Sequence, residues 1–170
     1  MIQKIKKAKS QKSYNFNTAI RRANPSLPLR LLIDKNLLKG SVLDYGCGRG
    51  FDAEYLDKKG FCIDSYDPYW KPDGINKTEY NTVFCNYVLN VIETDGEIVS
   101  VIKSVQNLLT KDGLAYFAVR RDLKKDGFTT RGYQRMVKLN APVAFNKSGS
   151  FCTYVIGKDF LSNPSRPCYS

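Results

Sequence analysis

Histidine is absent from this chain of 170 residues. That absence excludes Ser-His-Asp triads, Cys-His nucleophiles, histidine metal ligands and an imidazole base, so any general base must be a carboxylate, tyrosine, lysine or cysteine. Cysteine is present but sparse in pattern. Cys47, Cys62, Cys85, Cys152 and Cys168 are odd in number and never stand as Cys-x-x-Cys, which argues against a zinc centre and a disulfide framework and for reduced thiols. No metal is expected. Long apolar runs are lacking, and the opening MIQKIKKAKS has lysines without an apolar core or a small-residue cleavage site after it. Neither a membrane span nor a secretory signal is therefore expected, and the expected location is cytoplasmic. Acidic residues are missing from positions 1–33, which hold eight Lys and Arg; the first acid is Asp34.

What is present describes a folded protein: 42% hydrophobic, 12% aromatic and 25% charged residues. The length suits one domain. We expect a basic N-terminal arm and turn over 1–33, a catalytic domain over 34–160 and a loose tail over 161–170. Of the formal charge of +11, residues 34–170 carry only +3. Within them a second basic cluster runs over 120–138, with Arg120, Arg121, Lys124, Lys125, Arg131, Arg135 and Lys138 against Asp122 and Asp126. Two positive segments around a near-neutral body suit a nucleic acid or a phosphorylated small molecule as partner.

Along the chain, residues 24–28 (NPSLP) mark a turn, and 29–38 read as a short helix with Leu31, Leu32 and Ile33 inward. Residues 41–45 (SVLDY) form a strand-like run stopped by Gly46-Cys47-Gly48-Arg49-Gly50, then a helical stretch over 51–59 and a second strand over 61–66 ending at Asp67-Pro68. Residues 82–86 (TVFCN) are a third strand-like run. Thr94 and Glu97 cap a helix whose stripe is Ile98, Val101, Ile102, Val105, Leu108 and Leu109, and Asp112-Gly113 is expected to end it. Residues 114–119 make a central strand, and 143–146 with 150–156 an antiparallel edge hairpin.

The strand, glycine turn and helix make a nucleotide cradle: glycines admit a ligand close to the backbone, and helix amides face an anionic group. Asp67 lies 17 residues after Gly50 at the end of the next strand, where an acid meets ribose hydroxyls. Asp44 stands two residues before the first glycine, where it would repel a pyrophosphate and suit an ammonium group. This favours S-adenosylmethionine over NAD, and disfavours a nicotinamide dehydrogenase.

With these motifs the sequence resembles the class I S-adenosylmethionine-dependent methyltransferases. VLDYGCGRG is similar to their first motif, Asp67 to their second acid, and TVFCNYVLNVI to the strand bordering the methyl group. More narrowly, VLDYGCGRGFD, YDP, NYVLNVIE, AVRRD and DGFTTRGYQR resemble a bacterial and phage group that includes members associated with DNA phosphorothioation, over roughly residues 18–158. The resemblance implies a compact α/β, Rossmann-like three-layer sandwich, with a mostly parallel sheet and an antiparallel edge hairpin. Thr82 follows only 15 positions after Asp67, so the usual helix and strand there must be reduced.

The implied cofactor set is Asp44, Gly46, Cys47, Gly48, Gly50, Asp52, Asp67, Pro68, Tyr69 and Asn86, with Tyr69 and Trp70 able to stack on adenine. Asn86 and Tyr87 can orient an acceptor without ionising. Arg120 and Arg121 can grip a phosphate or carboxylate in two-pronged fashion, and Asp122 can take the acceptor's proton. The resemblance further implies that Thr130, Arg131 and Gln134 form a substrate lid, with Thr18, Arg21 and Arg22 closing the other side. Asp67-Pro68-Tyr69-Trp70 is similar to the Asp-Pro-Pro-Tyr box of amino-methyltransferases but follows the wrong strand. Cys85 lacks the proline and cation of a cytosine-attacking thiolate, so a buried inert thiol is expected. The implied activity is methyl transfer to an N or O nucleophile. The alternative is a regulatory or counter-defence protein that binds S-adenosylmethionine or nucleic acid without transfer.

Overall fold

A computed structural model describes Ala19 and residues 24–160. Thr18, Arg21, Arg22 and the 161–170 tail lie outside the described residues. Eight strands and three helices follow in order: α1 (Leu27–Asp34), β1 (Val42–Tyr45), α2 (Phe51–Asp57), β2 (Ile63–Tyr66), β3 (Tyr80–Asn86), α3 (Asp95–Asn107), β4 (Leu109–Arg120), β5 (Gly127–Thr129), β6 (Gly132–Gln134), β7 (Val143–Lys147) and β8 (Phe151–Gly157). Six strands form one sheet in the order β2-β1-β3-β4-β8-β7, and β5-β6 form a separate ribbon. The first four strands of the sheet are mutually parallel; β8 and β7 add antiparallel at the edge. This is the expected three-layer α/β sandwich.

Side-chain alternation along the strands divides the core into two faces. Ile98, Ile102 and Val105 of α3 pack on Leu43, Val83, Cys85, Ala115 and Phe117. On the other face Leu29, Leu32 and Leu56 from α1 and α2 meet Val42, Phe84 and Tyr116. The domain boundary expected at residue 33 falls inside α1, whose Leu29 and Leu32 are fully buried, so this stretch is part of the domain and not of an arm. Ser26 caps α1, and Pro28 sits in its first turn, where a missing N–H costs nothing. Leu31 and Ile33 are only half buried.

Asp112-Gly113 does not end α3. The helix stops at Asn107, and β4 begins at Leu109 with a bulge, since Tyr80 opposes Leu109 while Thr82 opposes Leu114. A side chain on Gly113 would meet the Tyr80 carbonyl oxygen at 2.8 Å, so only glycine lets β4 press against β3 here. Strand pairing has overridden a local turn signal.

The reduction expected after Asp67 is real. Residues 67–79 hold no helix and no long strand, and fold back on β2 at the sheet edge. Buried Tyr80 fastens the segment: its hydroxyl donates to Asp64 Oδ2 at 2.7 Å and accepts from the Asn76 and Lys77 N–H groups. Gly74 lies so close to β2 that an added Cβ would stand 1.8 Å from the Ser65 carbonyl oxygen. A covered edge of this kind resists pairing with other chains.

Candidate functional site

The carboxyl ends of β1, β2 and β3 open together on a cleft of about 1340 Å³, where open α/β sheets bind ligands. The chain leaves β1 through Gly46, Gly48 and Gly50 with φ of 80°, 54° and 83°, a left-handed run that side chains resist. Gly46 and Cys47 both donate backbone N–H to the Tyr66 carbonyl. Gly48 donates to Asp67 Oδ2 at 3.0 Å, while Asp67 Oδ1 accepts from Tyr69 and Trp70 N–H at 2.9 and 3.0 Å. One carboxylate thus binds the glycine turn to the turn after β2. Asp44, Gly46, Cys47, Gly48, Pro68 and Tyr69 line the cleft; Gly50 stands just behind, capping α2. The Arg49 guanidinium lies over the Trp70 ring, 4.2 Å from the ring centroid, and Tyr69, about half exposed, meets Trp70 edge-on at 5.1 Å.

A buried polar network supports the middle of the cleft. The Asp52 carboxylate accepts from Ser26 N at 2.8 Å, from Ser26 Oγ at 2.5 Å and from Asn86 Nδ2 at 3.4 Å, and Asn86 Nδ2 also reaches Ser26 Oγ at 3.0 Å. With its amide nitrogen so used, Asn86 turns its Oδ1 away; that oxygen is buried without a hydrogen-bond partner. Tyr87 follows with φ of 65°, a strained conformation costing about 1–2 kcal/mol outside glycine. Its N–H is held by the Ala118 carbonyl at 2.8 Å.

The arginine pair does not act as a two-pronged clamp. Adjacent residues at a strand end face opposite ways, and Arg120 alone lines the cleft. Its guanidinium is bidentate to Asp122 at 2.9 and 2.7 Å and reaches Gln134 Oε1 at 3.5 Å. Arg121 turns to the Tyr154 hydroxyl and ring. Hydrogen bonding from Arg120 holds Asp122 below the usual carboxylate range, which makes it a poor proton acceptor. Thr130, Arg131 and Gln134 line the far rim from the β5-β6 ribbon. Among the described residues no group of three or more His, Cys, Asp or Glu could hold a metal, and no helix is long and apolar enough to cross a membrane.

A family model described as Methyltransferase domain matches residues 16–158. The chain belongs to that family. No curated protein matches it. Among solved structures, a methyltransferase likeness recurs at low identity. A TehB-like SAM-dependent methyltransferase from Corynebacterium glutamicum is 19% identical with a TM-score of 0.51, over 80% of this chain and 90% of that one. The Burkholderia thailandensis 1,6-didemethyltoxoflavin-N1-methyltransferase, solved with bound 1,6-didemethyltoxoflavin and S-adenosylhomocysteine, is 14% identical with a TM-score of 0.55, over 76% of each chain. The match is shorter against a chain solved in work on thioacetal formation in echinomycin biosynthesis: 19% identity, TM-score 0.48, 55% of this chain and 48% of that one. The first two likenesses show the fold.

In this methyltransferase the cysteines near the cleft are held in the thiol form by their surroundings. Burial, reinforced by the charges of Asp44 and Asp67, pushes the Cys47 thiol up to about 12. Cys85 is fully buried in the core, and burial with the charge of Asp44 pushes its thiol up as well. Iodoacetamide should therefore modify exposed Cys62 and spare Cys47 and Cys85, as read by peptide mass spectrometry. Alkylation of Cys47 as fast as Cys62 would contradict this.

Two further residues matter here that the motifs do not mark. Ser26 is both helix cap and network member; a serine before Leu-Pro-Leu is a recognisable cap signal. Asn90, fully buried, accepts from Arg120 N–H and donates to the Arg135 carbonyl, both at 2.7 Å. Nothing local announces it.

Proposed function

We propose that this methyltransferase moves the methyl group of S-adenosylmethionine to a nitrogen or oxygen nucleophile held in the cleft. The tie between Gly48 and Asp67 carries the reading, because it joins the left-handed glycine turn to an acid at the end of β2 on one edge of the parallel strands. The residues fit the cofactor. Asp44, buried beside the turn, offers a carboxylate to the ammonium end, and Asp67 offers one to the ribose. The orphaned Asn86 Oδ1 is an acceptor suited to an ammonium or amine N–H. A cleft of about 1340 Å³ exceeds the usual span of a single small-molecule pocket, leaving room for cofactor and acceptor together.

When bound, the sulfonium supplies an activated methyl group. The chain's part is alignment. Ser26 and Asp52 fix the Asn86 amide, and Arg120 with Gln134 borders the acceptor side. Because Arg120 occupies Asp122, a neutral amine that needs no base suits the cleft better than a hydroxyl. Membership of the narrower group with DNA phosphorothioation-associated members, a cytoplasmic setting and an acceptor bearing phosphate are parts of this proposal. The test is incubation with methyl-labelled S-adenosylmethionine and separated DNA, RNA, protein and metabolite fractions. Label in one fraction, with S-adenosylhomocysteine released, supports transfer; tight cofactor binding with no S-adenosylhomocysteine would make the protein a binder alone.

A further inference from the structure

The β5-β6 ribbon has two unlike faces. Thr129 and Gln134, with the tip residues Thr130 and Arg131, line the cleft. Phe128 and Tyr133 are directly opposite one another and do not line it; their rings meet edge-on at 5.4 Å. By strand alternation they share the face turned from the cleft. Phe128 is 77% exposed, more than any other large hydrophobic side chain among the described residues. Within ten positions of it in the chain Lys124, Lys125 and Lys138, together with Arg131 at the ribbon tip, are exposed and form no ion pair among the described residues. The nearby acids are occupied: Asp122 by Arg120, and Asp126 by the Met136 N–H at 2.7 Å.

We propose that this ribbon face binds single-stranded nucleic acid, a base stacking on Phe128 and the phosphates running past the four cations. The inference rests on the methyl-transfer reading only for its consequence, that a strand crossing the Thr130-Arg131 tip brings a nucleotide to the cleft. An aromatic ring among unpaired cations matches the two recurring features of a single strand, flat π faces and regular negative charge. A duplex hides its base faces and gives Phe128 nothing to stack on. A second copy of the chain docked symmetrically would set these cations against themselves.

The test is fluorescence anisotropy with a labelled single-stranded DNA of about 12 nucleotides, within the span of such sites, and with the matching duplex. The single strand should bind more tightly. Phe128→Ala should weaken it by about tenfold, the scale of one base stack, and Phe128→Trp should retain it. Lys124→Glu with Lys125→Glu should weaken binding further and flatten its salt dependence. Phe128 is exposed, so the variants should keep the parent Tm. Equal binding by Phe128→Ala, tighter binding to the duplex, self-association that Phe128→Ala abolishes, or Phe128-dependent capture by phosphatidylserine vesicles would each overturn the proposal. Calorimetry with S-adenosylhomocysteine separates the two readings: its failure to bind the parent protein removes the methyl-transfer reading and leaves the strand-binding result standing.

Discussion

Asp67→Ala should weaken S-adenosylhomocysteine binding by about 3 kcal/mol, a factor of roughly 150 in Kd. A carboxylate offers about four acceptor positions. The Tyr69 and Trp70 N–H groups use Oδ1, and Gly48 N–H uses one position on Oδ2, leaving Oδ2 able to take a ribose hydroxyl. Alanine would remove that charge-assisted bond and also release Gly48 from the turn that shapes the floor of the cleft. Because the effect has two parts, Asp67→Asn should fall between parent and alanine: its amide keeps an acceptor but loses the charge. Titration calorimetry reads the difference. An unchanged Kd would show that Asp67 serves the fold and does not hold the cofactor.

The parts of this molecule legible in its sequence are those where a local rule is also the global solution. A glycine run between an apolar strand and a helix leaves few backbone paths, so the Gly46–Gly50 turn, α2 and the acid after β2 follow from spacing. The Thr94-Glu97 cap and the Ile98, Ile102, Val105 stripe fix α3 for the same reason. Elsewhere, pairing at long range prevails over local signals. Asp112-Gly113 has the composition of a helix stop, yet β3 draws it into β4 as a bulge. After a strand over 114–119, alternation sends Arg120 and Arg121 apart, against the paired clamp expected of them. The Ser26-Asp52-Asn86 network spans separations of 26, 34 and 60 residues. No window along the chain contains it.

Asn90 lies furthest from any sequence signal and should produce the largest loss of stability. It is fully buried in the short 3-10 turn after β3, Leu89–Val91. Its Oδ1 takes the Arg120 N–H at the end of β4, its Nδ2 donates to the Arg135 carbonyl, and its own carbonyl accepts the Arg135 N–H at 2.8 Å. Arg135 is the residue immediately after β6, and its guanidinium is held by the Glu93 carbonyl and Asp95. One amide therefore joins the floor of the cleft to the root of the β5-β6 ribbon. A two-stranded ribbon is marginal by itself in water, so its position depends on this root. Asn90→Ala would leave a buried donor and a buried acceptor unpaired, each costing about 1–3 kcal/mol, for a total of about 4 kcal/mol. For a domain of this size the Tm should drop by about 10 °C. Asn90→Asp keeps the acceptor for Arg120 and turns a negative oxygen on the Arg135 carbonyl, so it should rescue only part of the loss. Hydrogen exchange distinguishes a ribbon anchor from a general packing residue. Amides over 127–134 should lose protection first, while those of β1, β3 and β4 persist. Uniform loss across the sheet would mean that Asn90 holds the core together and that the ribbon is anchored by Gln134 and Arg120 instead.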